Sequence, residues 1–301
     1  MNRALLVGIN AYRTSPLRGC INDVMQMKQL LTEYYGFTED SFKLLLDADA
    51  TSANIKAGLK WLAEGGADPD VVRVFHYSGH GSYVADESGD EPDGRDETLV
   101  PVDYQSAGML TDDTLKTFYD NFPRKSNLTL IMDSCHSGTV NRLAAEDVVF
   151  RFLPVSRAEQ ARIDAAQAKF AEDQRNYVRQ EVRKLKGENL SDEELNARIE
   201  KLFVSFEKKR FGDIRTREGN ILLAGCKPEQ TSADAFIDGE YHGAFTFYLA
   251  KAITGSNGQL TYRQLVEGTD KGLSQNGYDQ IPQLEYRSKR DRKQAFRSFT
   301  A

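Results

Sequence analysis

At 301 residues, 40% hydrophobic and 28% charged, the chain has the make-up of a soluble globular protein and is long enough to bury a sizeable core. A formal net charge of −6 argues against nucleic acid or an anionic membrane as the main partner, yet permits a local acidic pocket for a basic ligand. Its 3 scattered cysteines make no disulfide framework, and no window approaches the roughly 18 apolar residues of a membrane helix, so a reducing, cytoplasmic setting is expected.

The first half alternates strands and helices. Ala4–Ile9 is an apolar run that reads as a strand, too short for a leader peptide. Apolar residues at Val24, Met27, Leu30, Leu31 and Tyr34 predict a helix over Asn22–Tyr35, stopped by Gly36. Phe42–Leu46 is a strand, Thr51–Leu62 a helix closed by Gly65-Gly66, and Val71–Phe75 another strand. Gly79 to Asp96 reads as a loop rich in Gly and Asp, Thr98–Val102 as a short strand and Asp112–Phe122 as a short helix. Leu128–Met132 is a fully apolar strand leading into Asp133-Ser134-Cys135.

After Phe152 the composition shifts. Arg157–Lys186 and Asp192–Phe211 are dense in charge, and each opens with a capping box, Ser156 with Glu159 and Ser191 with Glu194. Gly187 can close the first. Ile163, Phe170 and Tyr177 on one helix, and Leu195, Ile199, Leu202 and Phe206 on the other, mark an amphipathic hairpin. This insert is either a solvated decoration or a docking surface for a regulatory protein. The earlier pattern then resumes: Ile221–Gly225 is a strand, Gly243–Ile253 and Tyr262–Leu273 are helices, and Ile281–Tyr286 is a last strand. The whole implies an α/β fold, a mostly parallel sheet of about six strands with helices on both faces.

Two of the apolar strands end in reactive residues. Val71–Phe75 runs into His76-Tyr77-Ser78-Gly79-His80-Gly81-Ser82, and Leu128–Met132 into Asp133-Ser134-Cys135-His136-Ser137-Gly138. In open α/β sheets the ligand crevice lies at the carboxyl ends of the strands, so neighbouring strands would set His80 and Cys135 across it. A thiol beside an imidazole is a nucleophile with its general base. Gly79, Gly81 and Gly138 permit close backbone approach, and the N–H groups of Gly81 and Cys135 could form an oxyanion hole. His76 reads as a core histidine, and His136 points away from the thiol. A zinc site is disfavoured, because H-x-x-x-H here sits on a strand and turn and no C-x-x-C is present.

Those two motifs closely resemble the catalytic motifs of metacaspases and related bacterial caspase-like peptidases. Gly19-Cys20-Ile21-Asn22-Asp23, Asp93-Gly94-Arg95-Asp96-Glu97, Pro101-Val102-Asp103, Thr111-Asp112-Asp113 and Gln230-Thr231-Ser232-Ala233-Asp234 follow in the family's order. The resemblance implies a single caspase-like catalytic domain, with residues 1–152 as the large-subunit-like region, 153–217 as the insert and 218–301 as the small-subunit-like region. It also implies cleavage of protein or peptide substrates after Arg or Lys, with Asp23, Asp133 and Asp234 as carboxylates of the specificity pocket. Calcium, as an activator rather than a cofactor of the chemistry, would be held by Asp96, Asp112 and Asp113, although Arg142 stands where the family has a further aspartate. Self-cleavage is expected after a basic residue of the insert, near Lys208-Lys209-Arg210, Arg215 and Arg217. The alternatives are an inactive scaffold that binds partners through the insert, or an Asp-directed peptidase. No prodomain is expected before Arg3, which leaves regulation to the insert, calcium or a separate partner.

Overall fold

The computed structural model describes residues 1–64, 68, 70–88, 94–122, 126–135, 148–185, 191–211, 220–227, 230–286 and 289–298. In chain order the strands are β1 (Arg3–Gly8), β2 (Phe42–Leu46), β3 (Val72–Ser78), β4 (Gly81–Ala85), β5 (Arg95–Leu99), β6 (Leu110–Thr111), β7 (Asn127–Asp133), β8 (Val149–Phe150), β9 (Asn220–Ala224), β10 (Ala233–Ile237), β11 (Glu240–Gly243) and β12 (Gln283–Tyr286). The helices are α1 (Cys20–Tyr35), α2 (Ser52–Ala63), α3 (Tyr104–Ala107), α4 (Asp112–Asp120), α5 (Arg157–Leu185), α6 (Asp192–Phe211), α7 (Ala244–Gly255) and α8 (Tyr262–Gln275).

A 6-stranded sheet in the order β12-β9-β7-β3-β1-β2 forms the centre. Every neighbouring pair runs parallel except β12 with β9 at one edge. The strands are apolar on both sides because both sides are covered. Leu5, Val7, Phe75, Tyr77, Leu128 and Leu130 face one cluster with Ile55, Leu59 and Leu62 of α2. Their alternates Ala4, Leu6, Val74 and Ile131 face a second cluster with Val24, Met27 and Leu31 of α1 and Phe245 and Leu249 of α7. That two-residue alternation fixes the register, since a slip by one residue would exchange the faces.

The chain divides into two compact units. Met1–Ser82, Glu97–Pro154 and Arg215–Ala301 form one, which holds the six-stranded sheet. Tyr83–Asp96 and Val155–Ile214 form the other, in which α5 and α6 pack on each other. Within that second unit the Ser156 box is only half made: Ser156 Oγ caps the Glu159 N–H at 3.1 Å, but the Glu159 carboxylate instead accepts from the Ala85 N–H at 2.8 Å. The Ser191–Glu194 box is complete. The segment read as one loop from Gly79 to Asp96 contains β4 and the start of β5, strands of a three-stranded sheet in the order β4-β5-β6 that short-range patterning does not disclose. Gly65-Gly66, His136, Gly138, Arg142, Gly187, Arg215 and Arg217 lie outside the described residues, as do the side chains of Phe206 and Lys208-Lys209-Arg210.

Candidate active site

Strands β3 and β7 are direct neighbours, with Ser78 in register with Asp133 at their carboxyl ends. Asp133 is the last residue of β7 and fully buried. Its Oδ2 accepts from the Thr246 N–H at 3.0 Å and the Thr246 hydroxyl at 2.7 Å, and its Oδ1 from the Ser232 hydroxyl at 2.6 Å. Asp23 sits in the first turn of α1, where the helix dipole favours an anion. Its carboxylate turns into the same cavity, accepting from the Ser78 hydroxyl at 2.7 Å and the Gly243 N–H at 3.1 Å. Asp234 on β10 accepts from the backbone N–H groups of Arg18 at 2.8 Å and Gly19 at 3.0 Å. Three buried carboxylates thus converge. A side chain at Gly243 would collide with the Asp133 carboxylate, so only glycine lets the β11 end close this pocket.

The cation that balances them is Arg151, a residue that the sequence motifs did not single out. It is fully buried. Its Nη2 donates to Asp23 at 2.7 Å and to Asp234 at 2.8 Å, while its Nη1 lies 3.2 Å from the Asp133 carboxylate and donates to the Ser78 hydroxyl at 2.7 Å. One guanidinium cannot neutralise three buried carboxylates fully, and the pocket divides accordingly. Burial works against charge on Asp23, but Arg151 and its hydrogen bonds hold that carboxyl below the usual range. For Asp133 burial prevails over Arg151, with the negative charge of Asp23 adding to it, and its pKa is raised.

The backbone of Arg151 is held as firmly as its side chain. Its carbonyl oxygen accepts from the Gly81 N–H at 2.9 Å and the Cys135 N–H at 3.2 Å. Its own N–H donates to the Ser232 carbonyl at 3.0 Å, and just before it β8 pairs antiparallel with β10, Val149 opposite Asp234 and Phe150 opposite Ala233. An extended chain laid against a strand edge in this way is how peptides commonly bind to sheets. At Gly81 a Cβ would strike the Cys135 carbonyl, which is why β4 needs glycine as its first residue.

His80 and Cys135 flank this carbonyl, both fully buried. The His80 Nε2 is 2.7 Å from the Ser15 carbonyl, a contact that places the ring proton on Nε2 and leaves Nδ1 as the basic nitrogen. Nδ1 is buried without a hydrogen-bond partner. Burial lowers the His80 pKa, against the opposing pull of the Ser15 carbonyl. Burial, with the Cys226 thiol beside it, pushes Cys135 well above the ordinary thiol value. The Cys135 sulfur accepts from the Ser232 N–H. Burial thus favours the neutral form of both groups. His76 is a buried strand residue 3.4 Å from the Thr246 hydroxyl, its pKa lowered to about 4 by burial.

The residues named for calcium belong to two different units. Asp96 falls in the helical unit, Asp112 and Asp113 in the sheet-bearing one. Asp112 and Asp113 open α4, with Thr111 as its N-cap. Among the described residues no group of three or more His, Cys, Asp or Glu side chains is arranged to hold a metal ion. Asp112 nevertheless has a buried, unpartnered Oδ1, and burial followed by the charges of Asp113 and Glu97 raises its pKa to about 6.

Solved structures share this architecture. A Geobacter sulfurreducens protein superposes with a TM-score of 0.65 at 24% identity over 99% of this chain and 98% of its own, and caspase-1 from Spodoptera frugiperda with a TM-score of 0.54 at 10% identity over 95% and 86%. The fold is caspase-like, and its cysteine and histidine stand at the ends of two adjacent central strands. The metacaspase, peptidase C14 domain model matches residues 2–144. Metacaspase-1 of Mycosarcoma maydis is 35% identical over 301 residues, and Metacaspase-1 of Schizosaccharomyces pombe 33% over 296, each alignment covering 94% of this chain. The chain belongs to the metacaspase family of cysteine peptidases, and it spans 69% and 66% of the length of those two relatives. No described helix is long and apolar enough to cross a membrane.

Proposed function

We propose that this chain is a cysteine endopeptidase that cleaves after Arg or Lys, with Cys135 as nucleophile and His80 as general base. The observation that carries the reading is Arg151: its guanidinium lies among Asp23, Asp133 and Asp234 while its carbonyl lies between the N–H groups of Gly81 and Cys135. A scissile residue would take that position. In the proposed reaction His80 Nδ1 takes the thiol proton as the sulfur bonds to the substrate carbonyl carbon. The two N–H groups carry the developing oxyanion. The C–N bond then breaks, the proton passes from His80 to the departing amine, and water hydrolyses the thioester to a free carboxylate. Nucleophile, base, oxyanion donors and pocket all come from the chain, so the chemistry itself calls for no cofactor.

The same reading puts self-cleavage at Arg151–Phe152, ahead of the basic residues near Lys208 and Arg217 that the sequence suggested. In the uncut chain Arg151 would occupy the pocket and hold the enzyme latent. An Asp-directed activity is disfavoured, since the aspartate would enter a site built of carboxylates. Calcium as activator has one candidate ligand ready in the unpartnered Asp112 Oδ1. The deciding experiment is hydrolysis of fluorogenic peptides ending in Arg, Lys or Asp, with calcium or with a chelator, beside Cys135→Ala. Turnover after Arg that vanishes in the variant supports the reading. Turnover after Asp alone, or turnover that survives in Cys135→Ala, overturns it. N-terminal sequencing of the incubated protein shows whether a chain beginning at Phe152 appears.

A further inference from the structure

If Arg151 stands in the substrate's place, the residues after it trace the leaving-group side of the cleft. We infer that this side contains a built subsite for the second residue beyond the scissile bond, read by Gly81 and Ser82. Gly81 meets the threaded chain twice. Its N–H donates to the Arg151 carbonyl at 2.9 Å and its carbonyl accepts from the Leu153 N–H at 2.9 Å, so a single residue brackets the Arg151–Phe152 peptide in a parallel bridge. Ser82 completes the grip, its hydroxyl donating to the Leu153 carbonyl at 2.7 Å. Both backbone groups of Leu153 are thereby held. Its side chain is buried in the apolar cluster that also contains Leu99, Val100 and Leu110. The intervening Phe152 is only half-buried and makes a smaller demand.

This arrangement makes a specificity rule that the acidic pocket does not. A proline in the Leu153 position has no N–H and would leave the Gly81 carbonyl without its donor. An aspartate there would carry a charge into an apolar site. Either change should lower kcat/KM by about tenfold or more, the usual consequence of leaving a buried polar group unpaired. The rule rests on the arginine-directed reading, and the experiment separates the two. Three internally quenched peptides share Val-Phe-Arg before the bond and carry Phe-Leu, Phe-Pro or Phe-Asp after it. A fourth substrate is Val-Phe-Arg-aminomethylcoumarin, which has no second residue. We expect the Phe-Leu peptide to be cut at least about tenfold faster than the other two, at the Arg–Phe bond by mass spectrometry. Ser82→Ala should raise KM for the Phe-Leu peptide severalfold and affect the coumarin amide less. Cleavage of the coumarin amide with equal rates on all three peptides would overturn the subsite and leave the arginine reading standing. Failure to cut any of the four would overturn both.

Discussion

Replacing Arg151 with alanine removes the guanidinium shared by Asp23, Asp133 and Asp234, all with fully buried side chains. Breaking a buried pair by removing one partner costs about 3–5 kcal/mol. The low end applies, because Asp133 is already raised by burial and can take up a proton in the variant. About 3 kcal/mol in a chain of 301 residues corresponds to a fall in Tm of about 5 °C. The pH dependence has a definite sign. Asp23 is lowered in the folded protein, so its contribution is fully present above the unfolded carboxylate pKa and is lost as pH falls through the folded value. The gap in Tm between wild type and Arg151→Ala should therefore narrow on acidification. Activity should move the other way, since the variant empties the pocket: initial turnover of an arginyl coumarin amide should exceed that of the uncut wild type. Thermal unfolding by circular dichroism at several pH values, with turnover measured on the same samples, tests both. A variant with wild-type Tm at neutral pH and no gain in initial rate would refute the reasoning.

Other expectations follow from the same geometry. The two arginine terminal nitrogens are addressed separately, Nη1 by Ser78 and Asp133 and Nη2 by Asp23 and Asp234. A single ammonium cannot do both, so arginyl peptides should be cut about tenfold more efficiently than lysyl ones, and equal kcat/KM would count against this pocket. Because burial lowers the His80 pKa, the acid limb of kcat/KM should fall at a pH below the ordinary histidine value of about 6.5; a limb above that value would be the wrong sign. His76, lowered to about 4, contributes stability that is full above its unfolded pKa and lost as pH falls towards 4. His76→Gln should remove up to ~3 kcal/mol of that acid dependence in denaturant titrations, and an unchanged acid profile would contradict it. Gly81→Ala drives a methyl group into the Cys135 carbonyl and should cost about 100-fold or more in kcat by displacing an oxyanion donor.

Much of the fold was legible because strands buried on both faces leave unbroken apolar runs, as at Ala4–Ile9 and Leu128–Met132. The residue chemistry at their ends pointed to His80 and Cys135. What escaped depended on long-range pairing. Strand β8 is two residues long and exists only because β10 lies beside it. A signal for Arg151 was available, since a lone charge in Val148-Val149-Phe150-Arg151-Phe152-Leu153 is hard to bury without a partner. The β10–β11 hairpin also announced itself in Asp238-Gly239, both with positive φ in the structure, the pair such tight turns favour. Reading 221–243 as one strand followed by unassigned chain hid the element that supplies Asp234 and follows directly on Ser232.

That hairpin has a bearing on how the protein is made. A ribosome delivers Cys135, His80 and the Arg151 bond well before it delivers Ser232, Asp234 and Gly243. On the proposed reading, until those residues arrive the nascent chain has its nucleophile but no complete acidic pocket and no strand edge on which to align a peptide. Folding proceeds from the N-terminus during synthesis, so on that reading self-cleavage waits for the hairpin. The order of residues along the chain would in this sense set an interval between the making of the proposed nucleophile and the making of the pocket it needs.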